Sequence, residues 1–419
     1  LQDLYLMQNQ LSELPAEIAR LKNLKRLFLN SNALCKFPEG ITRLGNLQAL
    51  NLAQNQLNAL PAAIKKMSRL RNLNLAGNAL STLPQSISEL QSLRSLNLKG
   101  NGFTRIPEAI ENLNHLEHLS LASNQLTAVK ASLRGLSRLR TLNLWNNQIT
   151  SMTSLKGLEA LNTLVLSKNN LQAFPDFITG LTTLRYIYFT RNQLKSLPEN
   201  IGNLQQLITL DLWDNQIREL PASIGRLQQL NELYVYGNNL RKLPGSICNL
   251  TKLERLYAGN NKLHSMPAGL GELSNLKGLL LEDNQLEELP GSLHRLDRLT
   301  TLNVSGNKLV DLPEGFWGME KAEAINLSGN RLQQVAIDTT NKSLVDLNLS
   351  HNLLKQPPQG LEAVPALSFL NLSHNPLKTL PQATFKLKHL QVLNIEGTRI
   401  PEEEVQKLQN ARENLRIIY

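Results

Sequence analysis

Asparagine recurs along this chain at an almost constant interval, and this period constrains the fold more than any other feature. Asn9, Asn32 and Asn55 are 23 residues apart. The series continues to Asn375 with two intervals of 22, and Thr398 takes the next place. A period of roughly 20 to 50 residues indicates a solenoid, in which each repeat packs only on its neighbours. We therefore predict about 18 stacked coils and no separate globular domain.

Most of these asparagines lie in the frame L-x-x-L-x-L-x-x-N-x-L-x-x-L-P-x-x-I-x-x-L, of which Leu47 to Ile64 is an example. Two coils, at Ile149 to Ala160 and at Val335 to Ser343, lack the L-P pair, which indicates either tolerated drift or a local kink. The x-L-x-L-x part alternates with period two, which predicts a short strand with one buried face. Successive strands then stack in parallel at about 4.8 Å. The asparagine turns inward, where its amide satisfies backbone groups in a hydrogen-bonded ladder.

This frame resembles the leucine-rich-repeat family, whose pattern is L-x-x-L-x-L-x-x-N/C-x-L. Its L-P-x-x-I-x-x-L half is similar to the class found in Ras-pathway scaffolds, Scribble-type polarity proteins, plant intracellular proteins and bacterial proteins. The resemblance implies an α/β leucine-rich-repeat solenoid of horseshoe form. Its concave side would be a parallel β-sheet, and its convex side irregular or short-helical. Partner binding is the activity that the family shares.

The two ends of the chain differ from the middle. We predict a solenoid over residues 1–400 and a C-terminal cap over 401–419, since P-E-E-E at Pro401 favours a helix start. Leu415 to Tyr419 is then a last strand. The chain opens at Leu1 inside a repeat, so we expect an N-terminal cap to be missing from the sequence.

Function is expected at the variable positions of the concave strands, because the frame residues only build the fold. Most tyrosines and tryptophans occupy these positions, in coils seven to twelve. They are Trp145, Tyr186, Tyr188, Trp213, Tyr234, Tyr236 and Tyr257. Tyr188, Asp211, Tyr234 and Tyr257 share one column, and Trp213 and Tyr236 lie side by side in the next. We predict a nearly continuous aromatic surface that binds a partner.

Charged residues flank the predicted aromatic surface unevenly. Arg191 lies on its N-terminal side, whereas Asp211, Glu232, Arg255 and Glu282 lie within it or on its C-terminal side. A partner that brings an aromatic or apolar anchor together with Lys or Arg fits this arrangement. We therefore add these five residues to the predicted partner-binding site.

The formal net charge is +10, which taken alone suggests an acidic partner. However, basic and acidic residues are equally numerous at the concave positions, so the excess lies on the flanks and the convex side. We therefore expect no nucleic-acid partner. No apolar run is long enough to cross a membrane. No residue pattern is typical of a metal or other cofactor site, so none is expected.

The predicted function is a recognition or scaffold module for a protein or peptide, without enzymatic activity. One alternative is the sensing half of a larger signalling enzyme, such as a Roco-type GTPase or a ubiquitin-ligase effector, whose catalytic domain is absent. Another is a carbohydrate binder, because tryptophan and tyrosine also stack on sugar rings. We expect a monomer or weak self-association. The low cysteine count favours a cytoplasmic location.

Overall fold

The computed structural model describes residues 1–129 and 133–419. The chain divides into two compact units, which we call the first unit, Leu1–Leu194, and the second unit, Lys195–Tyr419. In both, the predicted solenoid of short parallel strands is confirmed. The prediction of one solenoid domain over 1–400 followed by a cap stays a prediction.

The first unit is built on three-residue strands that pair in parallel with a shift of one repeat. Leu4 on one strand is in register with Leu27 on the next, because both leucines hold the same position in the frame. The strands are β1 Asp3–Tyr5, β2 Arg26–Phe28, β3 Ala49–Asn51, β4 Asn72–Asn74, β5 Ser95–Asn97, β6 His118–Ser120, β7 Ala128–Val129, β8 Thr141–Asn143, β9 Ser151–Met152, β10 Thr163–Val165 and β11 Tyr186–Tyr188.

The second unit repeats this pattern. Leu233 pairs in register with Leu210 on one side and with Leu256 on the other. All three leucines are fully buried. The strands are β12 Thr209–Asp211, β13 Glu232–Tyr234, β14 Arg255–Tyr257, β15 Gly278–Leu280, β16 Thr301–Asn303, β17 Ala324–Asn326, β18 Asp346–Asn348, β19 Phe369–Asn371, β20 Val392–Asn394 and β21 Arg416–Ile418.

Short 3-10 helices follow the L-P pair on the opposite side of most coils. Proline fixes φ near −65°, and the residue three positions later donates to its carbonyl, as Ile41 N does to Pro38 O at 3.0 Å. A spacing of three places the Ile and Leu of P-x-x-I-x-x-L on one side of a 3-10 helix, where they are buried. The confirmed short-helical side therefore follows directly from the frame.

In the first unit these helices are Ala16–Arg20, Glu39–Arg43, Ala62–Lys66, Gln85–Glu89, Glu108–Asn112 and Asp176–Gly180. In the second unit they are Glu199–Asn203, Ala222–Arg226, Gly245–Asn249, Leu270–Glu272, Gly291–Arg295, Phe316–Gly318, Leu361–Ala363 and Gln382–Phe385. No helix within the described ranges is long and apolar enough to span a lipid bilayer.

The predicted asparagine ladder is present in both units. Asn238 is typical: its Nδ2 donates to Leu212 O and Val235 O, each at 3.0 Å. Its Oδ1 accepts from the Ile217 N–H at 2.9 Å. One buried amide thereby satisfies backbone groups in its own coil and in the preceding coil. We call these residues the ladder asparagines.

The residue before each ladder asparagine adopts the left-handed conformation, with φ between 48° and 65°. Glycine holds this position in some coils, for example Gly100 and Gly237, but Lys168, Asp283 and His374 hold it in others. A non-glycine residue in this region is uncommon and mildly strained. The frame did not predict this requirement.

Two successive coils without the L-P pair form a second, small sheet, and the later of the two is the irregular coil Ile149 to Ala160. Ala128 pairs with Ser151 and Val129 with Met152, which joins β7 to β9 in parallel. The sequence left open whether this irregular coil was tolerated drift or a kink. The two strands lie at the positions that precede the proline in other coils.

The predicted C-terminal helix and strand are confirmed as α1 Glu402–Ala411 and β21. Arg412 follows the helix, and its guanidinium donates to the carbonyls of Thr384, Leu387 and Leu390 at 2.9 to 3.1 Å. Those carbonyls belong to the preceding coil. The segment therefore covers backbone acceptors that the repeat itself leaves open.

Candidate partner-binding site

The strand face of each unit consists of the variable side chains that point away from the buried leucines. On β12, β13 and β14 of the second unit, Asp211, Tyr234 and Tyr257 are in register. This part of the predicted column is therefore confirmed. Because the strands alternate, Leu210, Leu233 and Leu256 point into the core from the same segments.

Four aromatic rings of the second unit pack in two pairs, and we call them the aromatic cluster. The ring centroids of Trp213 and Tyr236 are 4.9 Å apart, and those of Tyr234 and Tyr257 are 5.1 Å apart. Tilted and edge-to-face geometries such as these are favourable for aromatic pairs. Trp213 is 43% exposed, and the three tyrosines are half-buried.

Glycine makes room for the cluster at its C-terminal edge. A Cβ atom placed on Gly278 would lie 3.3 Å from the Tyr257 ring, so a larger residue would push the ring out of place. Gly259 has the same relation to Glu282, because its Cβ would lie 2.7 Å from the Glu282 carboxyl carbon. Both glycines were absent from the residues predicted by sequence, although their place in the strand-face columns was visible there.

Two of the predicted charged residues pair with each other. Arg255 Nη1 lies 2.6 Å from Glu232 Oε1, and the Thr209 hydroxyl donates to Glu232 Oε2 at 3.0 Å. Each carboxylate oxygen of Glu232 therefore already has a partner within the protein. The Arg255 side chain remains 44% exposed, and its guanidinium has donors left for a ligand.

Asp211 carries a strongly perturbed carboxyl. Burial raises its pKa to about 6, and the neighbouring Glu232 adds to the increase, although the hydrogen bond from the Trp213 backbone acts against it. Burial also raises the pKa of the Tyr234 hydroxyl to about 12. The Asp211 carboxyl thus changes charge within the physiological pH range.

Glu282 completes the acidic side of the cluster. Its Oε2 is buried and has no hydrogen-bond partner among the described residues. Burial raises its pKa, its own backbone N–H opposes the increase, and Asp283 adds to it. The pKa of Tyr236 is raised first by burial and then by the charges of Glu282, Asp283 and Asp214. The charges of these carboxyls therefore act on the Tyr236 hydroxyl.

In the first unit, Trp145 lies between two ammonium groups. Lys168 Nζ is 4.8 Å and Lys99 Nζ 5.6 Å from the centre of its ring. Lys99 was not among the predicted site residues, although it lies two coils before Trp145 in the same column. These cation–π contacts cover a ring that was predicted to be free for a partner.

Tyr186 and Tyr188 lie on β11 of the first unit, both half-buried. They pair in register with Thr163 and Val165 of β10. Arg191 is exposed and left-handed, with φ of 53°. The predicted continuity of these residues with the aromatic cluster of the second unit stays a prediction.

The strand faces of the two units carry opposite charge. That of the first unit has nine cations and two carboxylates: Lys25, Arg26, Arg71, Arg94, Lys99, Arg140, Lys168, Arg185 and Arg191 against Asp3 and Glu117. Over the coils of β12 to β20, that of the second has nine carboxylates and two cations: Asp211, Asp214, Glu232, Glu254, Glu282, Asp283, Glu323, Asp346 and Glu396 against Arg255 and Lys277. The equal totals found in the sequence conceal this separation.

His351 and His374 stack with ring centroids 4.2 Å apart, as their neighbouring places in the repeat predict. Across the part of the chain that the structure describes, no group of three His, Cys, Asp or Glu residues could hold a metal ion. The two stacked histidines are part of the strand face of the second unit.

Two family descriptions match the chain. "Leucine-rich repeat region" matches residues 46–173 and 138–267. "Leucine rich repeat" matches residues 1–57, 274–332 and 323–377. Together they cover most of the sequence. No curated protein matches it.

Several solved structures are similar to this chain. A leucine-rich-repeat protein of Leptospira interrogans, LIC12759, is 31% identical, with 99% of this chain and 95% of that one covered and a TM-score of 0.77. The Arabidopsis receptor kinase HAESA, in complex with the peptide hormone IDA and the co-receptor SERK1, is 26% identical over 95% and 78%, with a TM-score of 0.69. YopM of Yersinia enterocolitica is 25% identical over 96% and 79%, with a TM-score of 0.64.

Proposed function

Since the chain belongs to the leucine-rich-repeat family, we propose that it is a recognition module that binds a protein or peptide on its strand face. The observation that carries this proposal is the aromatic cluster of the second unit. It holds two packed ring pairs on a solvent-facing surface, with Trp213 43% exposed. Exposed aromatic surface of this kind usually marks a binding site.

The cluster has the properties of a binding hot spot. Tryptophan and tyrosine offer large apolar faces with one polar atom each, and they lose little conformational entropy on binding. The Trp213–Tyr236 contact already fixes both rings, which lowers the ordering cost further. Truncating such residues typically weakens binding by about 2 kcal/mol or more.

The charges around the cluster favour a ligand with a lysine or arginine. The half-buried Glu282 carboxylate acts electrostatically on the neighbouring Tyr236 hydroxyl. A cationic side chain could stack on the rings and be attracted by this carboxylate at the same time. The nine carboxylates of this strand face would steer such a ligand toward it.

We propose separately that Trp145, Tyr186, Tyr188 and Arg191 contact a partner on the strand face of the first unit. There the cations would favour an acidic part of that partner, such as a carboxylate.

Two similar structures support a peptide as the ligand. HAESA is seen with the peptide hormone IDA. A plant peptide hormone receptor, RGFR1, is seen with RGF2; it is 27% identical to this chain, with a TM-score of 0.56. Both share the fold of this chain, and their ligands are peptides.

A random peptide library displayed on phage, selected against the immobilised chain, tests the proposal. We expect the enriched peptides to pair an aromatic or apolar residue with lysine or arginine. The best peptide is then synthesised with a fluorescent label, and its affinity is measured by anisotropy. An enriched set without basic residues would contradict the proposed role of Glu282.

Two variants locate the site. Trp213→Ala/Tyr236→Ala should weaken binding of the selected peptide by about 30-fold or more, which corresponds to about 2 kcal/mol. Phe369→Ala removes a half-buried aromatic side chain from the same face of the second unit, on β19. This control should change the affinity less than about twofold.

Equal losses in the two variants would overturn the aromatic cluster as the site. Binding of the chain to a glycan array is measured as a further test. Saturable binding of a sugar that Trp213→Ala/Tyr236→Ala abolishes, with no peptide enriched, would replace the peptide by a carbohydrate.

A further inference from the structure

A run of basic residue types in the second unit lies at one repeat position in four successive coils. Lys195, Arg218, Arg241 and His264 all lie three residues after the asparagine of their coil. We call these four residues the basic column. The next coil has Glu287 at this position, which ends the run. The column lies in loops at the C-terminal ends of the strands, away from the strand face.

Backbone contacts bring the members of the column together. Arg218 N donates to Lys195 O, and His264 N donates to Arg241 O, each at 3.3 Å. Adjacent coils are thus in contact at this position, so the charged groups repeat about every 5 Å. All four residues are exposed.

The column borders an open cavity. Arg218, Glu219, Asn239, Arg241, Lys242 and Lys262 line this space of about 680 Å³. Lys242 and Lys262 extend the cationic surface beyond the column. Glu219 is the one carboxylate among the lining residues that the structure describes.

The basic column forms no ion pair with a carboxylate in the part of the chain that the structure describes. Within the described ranges, no carboxylate lies within ion-pair distance of Lys195, Arg218 or Arg241, and the same holds for Lys242 and Lys262. The two strand-face cations of the same unit behave differently: Arg255 pairs with Glu232 and Lys277 with Glu254. Stacked like charges repel one another, and an anionic ligand would remove that repulsion.

We propose that the basic column is a docking site for an acidic protein segment. Acidic residues three or four positions apart on one face of a helix are about 5 to 6 Å apart, which matches the rise of the coils. Nucleic acid fits less well, because the described lining contains no aromatic ring on which a base could stack. Acidic carboxylates need only the ammonium and guanidinium donors that the column supplies.

This site is independent of the proposed strand-face site, whose charge in the second unit is opposite. A ligand of the basic column must be anionic, whereas the strand face of that unit favours a cationic anchor. Loss of one binding activity therefore leaves the other to be measured.

The probe is an alanine-rich helical peptide of about 20 residues, with glutamate at every third or fourth position along one face. A fluorescent label allows its affinity for the whole chain to be measured by anisotropy at about 50 and about 200 mM NaCl. The same peptide with glutamine in place of glutamate, and an oligothymidylate of similar length, are measured beside it.

The test variant is Arg218→Glu/Arg241→Glu. Its matched control is Lys355→Glu/Lys378→Glu, which alters exposed lysines at the same position of two later coils and changes the net charge equally. We expect the test variant to weaken binding of the glutamate peptide at least about tenfold and the control less than about threefold. The glutamine peptide should not bind.

Equal weakening in both variants would overturn the proposal, because net charge alone would then explain binding. Tighter binding of oligothymidylate than of the peptide would overturn it in favour of nucleic acid, and absence of saturable peptide binding at low salt would also overturn it. Should the charge-reversal variant not fold, Arg218→Gln/Arg241→Gln takes its place, with an expected loss of at least about threefold.

Discussion

The backbone N–H of Trp213 donates a hydrogen bond of 3.2 Å to Asp211 Oδ1. In other coils an asparagine makes the same contact; Asn51, Asn303 and Asn371 each accept from the N–H two residues later at 3.0 to 3.1 Å. Asp211 thus puts a carboxylate where the repeat elsewhere uses a neutral amide. Its raised pKa shows that the charged form is disfavoured there. A charge held beside Trp213 against this penalty is consistent with a role in binding.

Replacing this carboxylate by the amide should stabilise the protein. The pKa of Asp211 is about 6 in the folded state and 3.8 as a free group. The folded state therefore binds more protons between these values, and stability falls as pH rises from about 4 to about 6. Above pH 6, Asp211→Asn should raise the free energy of unfolding by about 1–2 kcal/mol, a figure reduced for partial exposure.

Urea unfolding followed by circular dichroism at pH 4, 5, 6 and 7.5 measures this effect. The gain from Asp211→Asn should be smallest at pH 4 and reach its full size above pH 6. Asp297→Asn, at an exposed carboxyl of the same unit, is the control. A gain that does not vary with pH would show that the Asp211 carboxylate is not the cause.

The affinity for the ligand should also depend on whether the Asp211 carboxyl is protonated. Protonation of Asp211 removes a negative charge beside Trp213, so a peptide with a basic anchor should bind more weakly at pH 5 than at pH 7.5. Anisotropy titrations at the two values test this, and Asp211→Asn should reduce the difference. An affinity that is identical at both pH values would exclude Asp211 from the binding surface.

Much of the fold could be predicted from sequence because a solenoid repeats one local solution. The buried place of Leu233 and the ladder role of Asn238 follow from the period alone. The Trp213–Tyr236 contact could also be predicted, since the two residues share a column one coil apart. The same registration holds for Glu232 and Arg255, but whether such neighbours pair depends on side-chain rotamers that no spacing reveals.

Other features could not be predicted from the sequence because they depend on the three-dimensional surroundings of a residue. The raised pKa of Asp211 results from burial by neighbouring coils, which a residue pattern does not measure. Glycine and polar residues recur at the left-handed position before each ladder asparagine. This signal was present in the sequence, but a frame defined mainly by hydrophobic residues does not include the position. β7 pairs with β9 where the L-P pair is missing, and the absence of a motif does not specify what forms in its place.

Loss of one ladder asparagine should destabilise the second unit. Asn238→Ala leaves Leu212 O, Val235 O and Ile217 N–H without their hydrogen bonds to the amide. Because buried unsatisfied groups are costly, we expect a loss of about 2–4 kcal/mol in the free energy of unfolding. The urea midpoint measures it. The neighbouring Asn239→Ala, outside the ladder, should cost less than about 1 kcal/mol; an equal cost would contradict the ladder account.

The left-handed backbone conformation should make Gly100 less tolerant of substitution by alanine than Gly45, which also lies in the first unit. Gly100 has φ of 65°, whereas Gly45 has no positive φ, and a Cβ atom placed on Gly45 would have no neighbour within 4 Å. Gly100→Ala should destabilise by about 1 kcal/mol, because alanine is disfavoured in this region. Gly45→Ala should be neutral or slightly stabilising. Melting temperatures compare the two, and a Gly100→Ala variant as stable as Gly45→Ala would refute the requirement.

The fluorescence of Trp213 tests the central claim most directly. In a Trp145→Phe variant the remaining tryptophans are Trp213, which is 43% exposed, and Trp317, which is 2% exposed. Titration with the selected peptide should shift the emission of Trp213 to shorter wavelength, because the ligand excludes water from the ring. The shift should saturate at the Kd found by anisotropy. Binding by anisotropy with unchanged tryptophan emission would contradict the claim that the ligand lies on the aromatic cluster.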